Sequence, residues 1–501
     1  MILDNYKPAN VLKHFEAISQ IPRGSGNEKA VSDYIANFAT GLNLKVVQDD
    51  LNNLVIYKAG TRGYEDAPTI ILQAHLDMVC EKNADTIHDF SNDPLKLYVD
   101  GDLIKAQGTT LGADNGIAIA FYMALLESNE YPHPPLEILL TVEEETGLQG
   151  AFKFDDSLLK GRRMINIDST DDTILTTGCA AGMTIECAIP FKREKVPSMY
   201  THIISVKGLK GGHSGADIHL ERGNAIRILA YLLHALGSKI RILDIASGMK
   251  VNAIPREATA TIISSFEDYE IYNQLDDVIK GFAEQYRTSD PHLKISVASI
   301  SESNNESYLS CIPTDITCNI LETILLAPNG VTAMSTEIPD LVNASCNIGV
   351  VKVVKTSEHF KDRWEKPSTN LGEESFLLEF MPRANTNFYM EQFSNQFELL
   401  MQMSKNIYSR RYQRSPAWHY NPNSQLLKIA KTTYQNMFGT APTITAVHAG
   451  LECGLFADKL QGLDVISYGV NLNEIHTPNE SMSIASVQKV WKFLLEILKA
   501  C

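Results

Sequence analysis

The chain has 501 residues, of which 44% are hydrophobic and 21% are charged, and its formal net charge is -16. This length exceeds the size at which one hydrophobic core keeps growing, so we expect two or more domains. The acidic balance argues against nucleic acid or an anionic membrane as a partner, because both attract clustered Lys and Arg. A folded protein without these two partners is therefore predicted.

The eight cysteines form no C-x-x-C pair, and we expect them to be reduced thiols. The N-terminal segment, MILDNYKPANVLKHFEAISQIP, is amphipathic and lacks a basic segment followed by an apolar run, so no secretory signal is expected. The most apolar segment, at 117–126, has about half of the ~20 residues of a membrane span. These features predict a soluble, cytoplasmic protein.

The N-terminal part of the chain, up to Ala180, alternates helical and strand patterns, which is typical of an α/β domain. Continuous apolar runs at 69–74, 136–142 and 164–167 predict central strands that are buried on both faces. Further elements are predicted as helices near 8–20 and 26–42 and as strands at 44–48 and 53–58.

From about residue 184 the pattern changes to strand–helix–strand units. The units continue to about residue 300, and residues 312–405 repeat the theme, ending in a helix through NFYMEQFSNQFELLMQMSK. We therefore predict an inserted α+β domain of two similar halves at 184–412. Residues 1–183 and 413–501 would form one discontinuous domain, with SRRYQRSPAWHYNPNS as the linker that returns to it.

Polar residues follow the predicted central strands. His75 follows the first apolar run, Glu143, Glu144 and Glu145 follow the second, and Asp168 follows the third. In open α/β sheets, ligands gather at the carboxyl ends of the strands. We therefore expect these side chains to lie close together.

Each of these motifs has a structural alternative when it is taken alone. In H-x-D, Asp77 can accept the distal N–H of a ligating His75, but the same pattern fits a buried structural pair. Asp114, in GTTLGADNG, can bridge two cations or cap the helix that follows. No Lys-Ser or Lys-Thr pair follows these glycines, so a phosphate-binding loop is not predicted.

The run Glu143, Glu144 and Glu145 places three carboxylates at one strand end. Their repulsion raises at least one pKa unless solvent or cations neutralise them, and a raised carboxyl pKa suits a general base. A solvated acidic turn is the alternative, and Asp168 is equally open to a turn or capping role. Together with the late His476, however, the set gives about five ligands for two cations, as in a hydrolytic metal pair.

The order H-x-D, G-A-D-N-G, E-E-x-G, I-D-S, G-G-H-S-G and a late histidine resembles the metallopeptidase superfamily of acylases, carboxypeptidases and dipeptidases. GLKGGHSGADIH, VHAGLECGLF and NEIHTPNES are similar to its aminoacyl-histidine (Xaa-His) dipeptidase branch, and the resemblance runs from about residue 10 to the end. It implies a zinc-exopeptidase-like α/β catalytic domain with a central mixed sheet flanked by helices. It also implies an inserted lid that is the usual dimerisation region, and hence a homodimer.

The resemblance implies two Zn²⁺ per subunit, for which Co²⁺ or Mn²⁺ can substitute. Asp114 would bridge the two metals. His75 and Asp168 would hold one of them, and Glu145 and His476 would hold the other.

The resemblance also implies catalytic roles. Asp77 would orient the metal-bound histidine, and Glu144 would be the general base, which leaves Glu143 without a role. The peptide bond after Asp114 resembles one that is cis in the family. His213, in G-G-H-S-G, would bind the substrate carbonyl oxygen or the tetrahedral intermediate once the lid closes.

Several other polar residues are candidates for substrate binding. Asn252 and Arg383 are predicted to bind the substrate carboxylate, since arginine can capture it with two hydrogen bonds. His448 and Glu452, in HAGLECG, either line the pocket floor or have local roles in a helix or turn. His219 is not assigned a role.

The predicted function is the hydrolysis of dipeptides, including Xaa-His substrates such as β-alanyl-histidine. A tripeptidase, an N-acyl-amino-acid deacylase and a carboxypeptidase are alternatives on the same scaffold. A metal-free binding protein is disfavoured, because no ligand position is missing from the sequence.

Overall fold

The computed structural model describes residues 2–300, 307–359, 373–403 and 407–501. Its helices are α1 (Ala9–Ile18), α2 (Lys29–Gly41), α3 (Ala113–Glu127), α4 (Gln149–Lys153), α5 (Ala225–Leu236), α6 (Asp268–Gln285), α7 (Thr314–Leu326), α8 (Thr356–His359), α9 (Asn387–Met403), α10 (Gln425–Phe438), α11 (Glu452–Lys459) and α12 (Ile484–Ala500).

The strands are β1 (Lys45–Gln48), β2 (Leu54–Lys58), β3 (Ile70–His75), β4 (Leu97–Asp100), β5 (Leu103–Ala106), β6 (Leu136–Thr141), β7 (Arg163–Ser169), β8 (Ile174–Cys179), β9 (Ala181–Phe191), β10 (Glu194–Pro197), β11 (Tyr200–Lys207), β12 (Gly212–His213), β13 (Ile240–Ser247), β14 (Ala253–Ile254), β15 (Ala258–Ser264), β16 (Lys294–Ser299), β17 (Tyr308–Cys311), β18 (Gly330–Met334), β19 (Val342–Lys355), β20 (Glu374–Ala384), β21 (Tyr408–Ser415), β22 (Thr443–Val447), β23 (Asp464–Gly469), β24 (Leu472–Asn473) and β25 (Ser481–Ser483).

The chain divides into two compact units. The first consists of Met1–Cys179, Trp418–Ala446 and Leu451–Cys501, and the second consists of Ala180–Ala417 and Val447–Gly450. The domain boundaries expected from the sequence, 183/184 and 412/413, lie slightly inside the second unit. The difference arises because β9 and β21, which cross those positions, pair within one sheet of that unit.

The first unit contains an eight-stranded sheet in the order β1-β2-β6-β3-β7-β23-β8-β22. Its centre is parallel, since β3 pairs in parallel with β6 and β7, and β7 pairs in parallel with β23. Every residue of β3 and β6 is buried, as the continuous apolar runs predicted. The predicted α/β class with a central mixed sheet is confirmed, and the carboxyl ends of β3, β6 and β7 meet at one edge.

Helix α3 is apolar around its whole circumference and packs against α1, β3 and β7. Residues 115–126 of this helix are buried, which is expected of a core helix without a polar face. This explains the most apolar segment of the sequence. No helix among the described residues has the length and apolar character needed to cross a membrane.

A small sheet in the order β24-β25-β5-β4 completes the first unit. Strands β24 and β25 form an antiparallel hairpin, and the loop between them, residues 474–480, carries His476. The hairpin is anchored through β25, which pairs with β5.

The second unit is built on an antiparallel sheet in the order β16-β11-β15-β13-β19-β20-β9-β21, with β18 on β19. From one end the strands are β16-β11-β15-β13, and from the other they are β21-β9-β20-β19. Helices α5 and α6 lie in the sequence of the first four strands, and α7 and α9 lie in that of the second four. The unit therefore consists of two similar halves that join where β13 pairs with β19.

Two details of the predicted second half were wrong. Residues 312–405 do not contain the whole half, because one of its strands is β9, which precedes the first half in the sequence. The segment predicted as a linker begins with β21, whose residues pair with β9. The end of the helix predicted to continue into Ser404 and Lys405 lies outside the described residues.

Candidate metal centre

His75 ends β3 and is almost fully buried. Its Nδ1 lies 3.3 Å from Asp77 Oδ1. Asp77 also accepts hydrogen bonds from the backbone N–H groups of Glu144 (3.0 Å) and Glu145 (3.1 Å) and from Ser25 Oγ (2.7 Å). Burial raises the pKa of Asp77, but its hydrogen bond with His75 and these donors outweigh burial and lower the pKa to about 2. One ionised carboxylate thus orients both the imidazole and the acidic segment.

Asp114 lies between two histidines. Its Oδ1 is 3.2 Å from His75 Nε2, and its Oδ2 is 3.5 Å from His476 Nε2. The Asp114–Asn115 peptide is cis, and Asp114 has φ -78° and ψ 110°, outside the helical region. Asn115 is also non-helical, with φ -107° and ψ 22°, so Asp114 lies at a kink near the start of α3. A carboxylate whose two oxygens face different histidines has the arrangement of a bridging ligand.

Asp168 lies near the end of β7, beside the same histidine. Its Oδ1 is 3.6 Å from His75 Nε2 and accepts a hydrogen bond of 2.7 Å from Asn115 Nδ2. Burial raises the pKa of Asp168 to about 6, and the nearby charge of Asp114 adds to the effect. Asn115 was not singled out in the sequence, although it stands within G-A-D-N-G.

Glu145 and His476 form the other side of the site. Glu145 Oε1 lies 3.0 Å from His476 Nε2. Hydrogen bonds with Asp114 and Glu145 raise the pKa of His476 to about 10. The hairpin loop therefore brings a histidine from near the end of the chain to two carboxylates that come from its N-terminal part.

Glu144 differs from its neighbours in the acidic run. Burial raises its pKa well above the usual range, and within the described part of the chain its carboxylate has no hydrogen-bond partner. Glu143 has a positive φ of 52°, and its N–H donates to Glu28 Oε1 at 3.0 Å. The backbone of the run is thus anchored at each residue, while the carboxylate of Glu144 is left available.

The donor set suits divalent cations. In each of three groups, ligand atoms lie within 4.8 Å of one another: His75, Asp114 and Asp168; His75, Glu144 and Glu145; and Asp114, Glu145 and His476. Imidazole nitrogen and carboxylate oxygen are ordinary zinc ligands. The clustered carboxylates repel one another, and bound cations would neutralise them. The five predicted ligands therefore come together and fit a metal centre.

Glu452 takes part in a buried hydrogen-bond network. It begins α11, is 1% exposed, and its Oε2 accepts hydrogen bonds from Gln73 Nε2 and Thr141 Oγ1. Gln73 in turn accepts from Asn166 Nδ2 at 2.6 Å. Burial raises the pKa of Glu452 to about 8. This network connects β3, β6 and β7 behind their polar ends, so of the two roles expected for Glu452 the structure favours the helix and packing role.

His213 belongs to the second unit, where it forms part of β12. Its Nδ1 accepts hydrogen bonds from the backbone N–H groups of Gly215 (3.3 Å) and Ala216 (3.0 Å). Its own N–H donates to Asp217 Oδ2 at 2.8 Å. Burial and the charge of Arg383 lower the pKa of His213 to about 4. The neutral ring therefore carries its proton on Nε2, which makes Nε2 a donor.

Arg383 lies beside His213 in the second unit and is 5% exposed. Its Nη2 is 3.5 Å from His213 Nε2, and its Nε is 3.4 Å from Ser214 Oγ. Burial lowers its pKa to about 10, and among the described residues no carboxylate lies within ion-pair distance of it. His448 is buried nearby in the same unit and pairs with Ser345 Oγ at 2.7 Å.

Asn252 and His219 also belong to the second unit. Asn252 lies in an exposed turn, and its carbonyl oxygen accepts a hydrogen bond from Ser214 N at 2.8 Å. Its observed contact thus supports the loop of His213 through the backbone. His219 is exposed, in keeping with its lack of an assigned role.

The comparisons with known proteins identify the family. The model of peptidase family M20/M25/M40 matches residues 71–500. The chain belongs to this family. It is a hydrolase that acts on peptide bonds, and membership implies a divalent metal, so the predicted family and enzyme class are confirmed.

Two relatives that are at least 30% identical match over nearly the full length. The cytosol non-specific dipeptidase of Escherichia coli (strain K12) is 34% identical, with 99% of this chain and 98% of that protein covered. The crystal structure of aminoacylhistidine dipeptidase from Vibrio alginolyticus matches with 30% identity and a TM-score of 0.85, covering 99% and 98% of the two chains. A tripeptidase from Staphylococcus aureus, 19% identical with a TM-score of 0.56 and coverage of 99% and 98%, shares the fold.

Proposed function

We propose that this M20 peptidase is a di-zinc dipeptidase whose substrates include Xaa-His dipeptides such as β-alanyl-histidine. The observation that carries the proposal is the convergence of His75, Asp114, Asp168, Glu145 and His476 at the carboxyl edge of the sheet. The two relatives that are at least 30% identical, a non-specific dipeptidase and an aminoacylhistidine dipeptidase, support the substrate class. A cytosolic location, as named for the first of them, belongs to the same proposal.

In this proposal Asp114 would be shared by the two metals, His75 and Asp168 would hold one, and Glu145 and His476 would hold the other. Bound cations would polarise the peptide carbonyl and lower the pKa of an attacking water. The residues of the chain arrange the remaining steps.

Glu144 is the proposed general base. Its N–H is held by Asp77 Oδ1, which fixes the backbone that carries it. Its carboxylate would accept the proton of the attacking water and then deliver it to the leaving amine. The free carboxylate next to the ligand Glu145 supports this division of roles.

The variant Glu144→Gln tests the base directly. We expect it to bind zinc as the wild type does but to lose turnover by about 10²–10⁴-fold, the range that general acid–base catalysis contributes. Zinc content by elemental analysis and kcat on β-alanyl-histidine are the measurements.

The matched control is Glu143→Gln, because Glu143 stands next in the same acidic run. It should keep its zinc and its turnover. A large loss of turnover in Glu143→Gln, with normal turnover in Glu144→Gln, would contradict the assignment. It would mean that the register of the motif is shifted by one residue.

His213 and Arg383 supply the proposed substrate contacts of the second unit. The Nε2–H of His213 and the guanidinium of Arg383 are both donors and lie 3.5 Å apart, so an oxygen acceptor satisfies both. We assign the substrate carbonyl oxygen to His213 and the terminal carboxylate to Arg383.

A substrate panel separates dipeptidase activity from the related activities. Chelator-stripped protein would be assayed with zinc, cobalt or manganese on dipeptides, tripeptides and N-acyl amino acids. Activity that returns with metal and is highest on dipeptides supports the proposal, whereas a preference for tripeptides or N-acyl substrates rejects it. A homodimer through the second unit is also proposed, and light scattering tests it.

A further inference from the structure

Two buried charged residues hold the Asp114 loop, defined here as residues 111–114. Glu480 is 3% exposed. Its carboxylate accepts hydrogen bonds from the backbone N–H groups of Leu111 (2.8 Å), Gly112 (3.1 Å) and Ala113 (2.9 Å). Such N–H groups at the start of a helix have no partner within it. Glu480 therefore fixes the loop through its backbone.

Arg23 holds the same loop from the other side and is 1% exposed. Its Nη1 donates to the carbonyl oxygens of Leu76 (2.9 Å) and Asp77 (3.0 Å), just after β3, and its Nη2 donates to that of Gly112. A Cβ atom at Gly112 or Gly116 would lie 2.7 or 2.6 Å from Nη2. Glycine at these two positions thus leaves the space for the guanidinium.

Glu480 also fixes the hairpin loop at residues 474–480, because it is the last residue of that loop. Within the loop, Thr477 Oγ1 donates to the carbonyl oxygen of Glu474 at 2.8 Å, and the N–H of Glu480 donates to that of Thr477 at 3.1 Å. The first of these bonds spans His476, and the second joins that turn to Glu480. Glu480 therefore connects the hairpin loop that carries His476 to the Asp114 loop.

We propose that Glu480 and Arg23 are positioning residues that keep Asp114 between His75 and His476 ready for metal binding. The inference rests on the proposed function, since it assumes that these ligands hold metal. The clustered carboxylates of the site repel one another, and the two anchors oppose their separation. Without an anchor, metal binding would also have to restore the loop, and the affinity would fall.

Glu480→Gln tests the inference. The amide keeps one acceptor oxygen, but its NH₂ group faces a backbone N–H on the other side. Loss of a residue that supports metal ligands typically weakens metal binding by about 10–100-fold, and we expect that range here. The measurement is titration of chelator-stripped protein with Zn²⁺ in competition with a fluorescent chelator.

The matched control is Glu474→Gln in the same loop. The side chain of Glu474 is exposed, and its carboxylate accepts a hydrogen bond from Asn479 Nδ2 at 3.1 Å, inside the hairpin loop. The zinc affinity of this variant should equal that of the wild type. Urea unfolding of the metal-free proteins measures their stability independently of zinc affinity. A purely structural role would lower stability but leave zinc affinity unchanged. That result for Glu480→Gln would overturn the inference.

The outcomes also separate the inference from the proposed function. A wild type that binds no divalent metal would overturn both. Equal zinc affinity in the wild type and Glu480→Gln, with zinc-dependent turnover in each, would overturn the inference alone. Arg23→Lys keeps the charge but loses the forked donor. Arg23→Lys should also bind zinc more weakly than the wild type. Its zinc affinity tests the inference if Glu480→Gln does not fold.

Discussion

Arg383 carries a positive charge in a buried environment where no described residue supplies a carboxylate. An uncompensated buried charge is costly, and an anionic ligand removes that cost. The two polar contacts of its guanidinium, with Ser214 and His213, are long. These facts favour a substrate carboxylate as its partner.

The prediction is that Arg383→Met loses the discrimination between a dipeptide and its C-terminal amide. A hydrogen bond to a charged group contributes about 1.5–3 kcal/mol, so kcat/KM for the free acid should fall about 10–100-fold. The value for the amide should change little. Steady-state kinetics on matched acid and amide substrates measure the ratio.

Arg287→Met is the control, because Arg287 is an exposed arginine of the same unit. It should keep the wild-type ratio of acid to amide. Equal losses on both substrates in Arg383→Met would show that Arg383 supports the fold rather than the carboxylate.

Two of the metal ligands predicted from the sequence share one property. His75 and Asp168 each follow an apolar run, so each is predicted to lie at the end of a buried strand. Glu480 and Arg23 follow no such signal, because their contacts join segments that are far apart in the chain. A buried arginine cannot be told from a surface arginine in a single sequence.

At the scale of elements, a buried lysine of β2 contacts the C-terminal end of helix α3. Lys58 Nζ donates to the carbonyl oxygens of Leu125 (2.7 Å), Leu126 (3.0 Å) and Ser128. The last carbonyl groups of a helix have no partner within it. Burial lowers the pKa of Lys58, yet these three acceptors make it a cap for the core helix.

We predict that Lys58→Met destabilises the first unit. Buried carbonyl groups left without a donor cost about 1–3 kcal/mol. For a domain of this size each kcal/mol lowers Tm by about 2–4 °C, so a fall of about 2–12 °C is expected in calorimetry. Lys29→Met, at an exposed position on α2, should leave Tm unchanged; an equal fall in both variants would reject the capping role.

The strands differ in how well they could be predicted from their sequences. The apolar runs of β3, β6 and β7 predicted buried central strands, and the structure contains them. Strand β21 has the polar sequence YSRRYQRS and was predicted as part of a linker. Among the described residues it pairs on one side only, with β9, and an edge strand can keep charged side chains in solvent. Its sequence therefore lacks the apolar pattern of a central strand.

At the scale of the whole molecule, the second unit is an insertion whose two ends lie side by side. Cys179 and Trp418 exchange backbone hydrogen bonds of 3.0 Å within the first unit. Strands β9 and β21 then continue as neighbours in the second. Glu186 and Arg410 face each other across this pair, with bonds of 2.8 and 3.1 Å, and His359 Nε2 lies 3.0 Å from Glu186.

This buried cluster predicts an acid-sensitive contribution to stability. Burial raises the pKa of Glu186, but hydrogen bonds with His359 and Arg410 outweigh it and lower the pKa from 4.5 to about 2. A depressed carboxyl pKa stabilises the fold above its unfolded value, and the contribution is lost as pH falls from about 5 to 2. It amounts to about 3 kcal/mol.

Glu186→Gln should thus be less stable than the wild type at pH 7, and the difference should shrink as pH approaches 2. Urea unfolding at a series of pH values measures it. Glu398→Gln, at an exposed position on α9, should follow the wild type throughout. A difference between Glu186→Gln and the wild type that does not vary with pH would contradict the assignment.

A division into two units could be predicted because the pattern of the sequence changes near residue 184. The exact composition of the halves could not be, since β9 ends at Phe191 whereas its neighbour β20 begins only at Glu374. Pairing over such distances depends on which edges are available after the rest of the sheet has formed. No local sequence pattern predicts the pairing of β9 with β20.

The position of β23 has a consequence for synthesis on the ribosome. It lies between β7 and β8 in the sheet, yet β8 ends at Cys179 and β23 begins only at Asp464. The ribosome therefore completes the whole insertion while the first sheet still lacks a central strand. Four of the proposed metal ligands emerge long before His476. The sheet of the first unit can be completed only after β23 has been translated, so the assembly of the metal centre follows translation of the inserted unit.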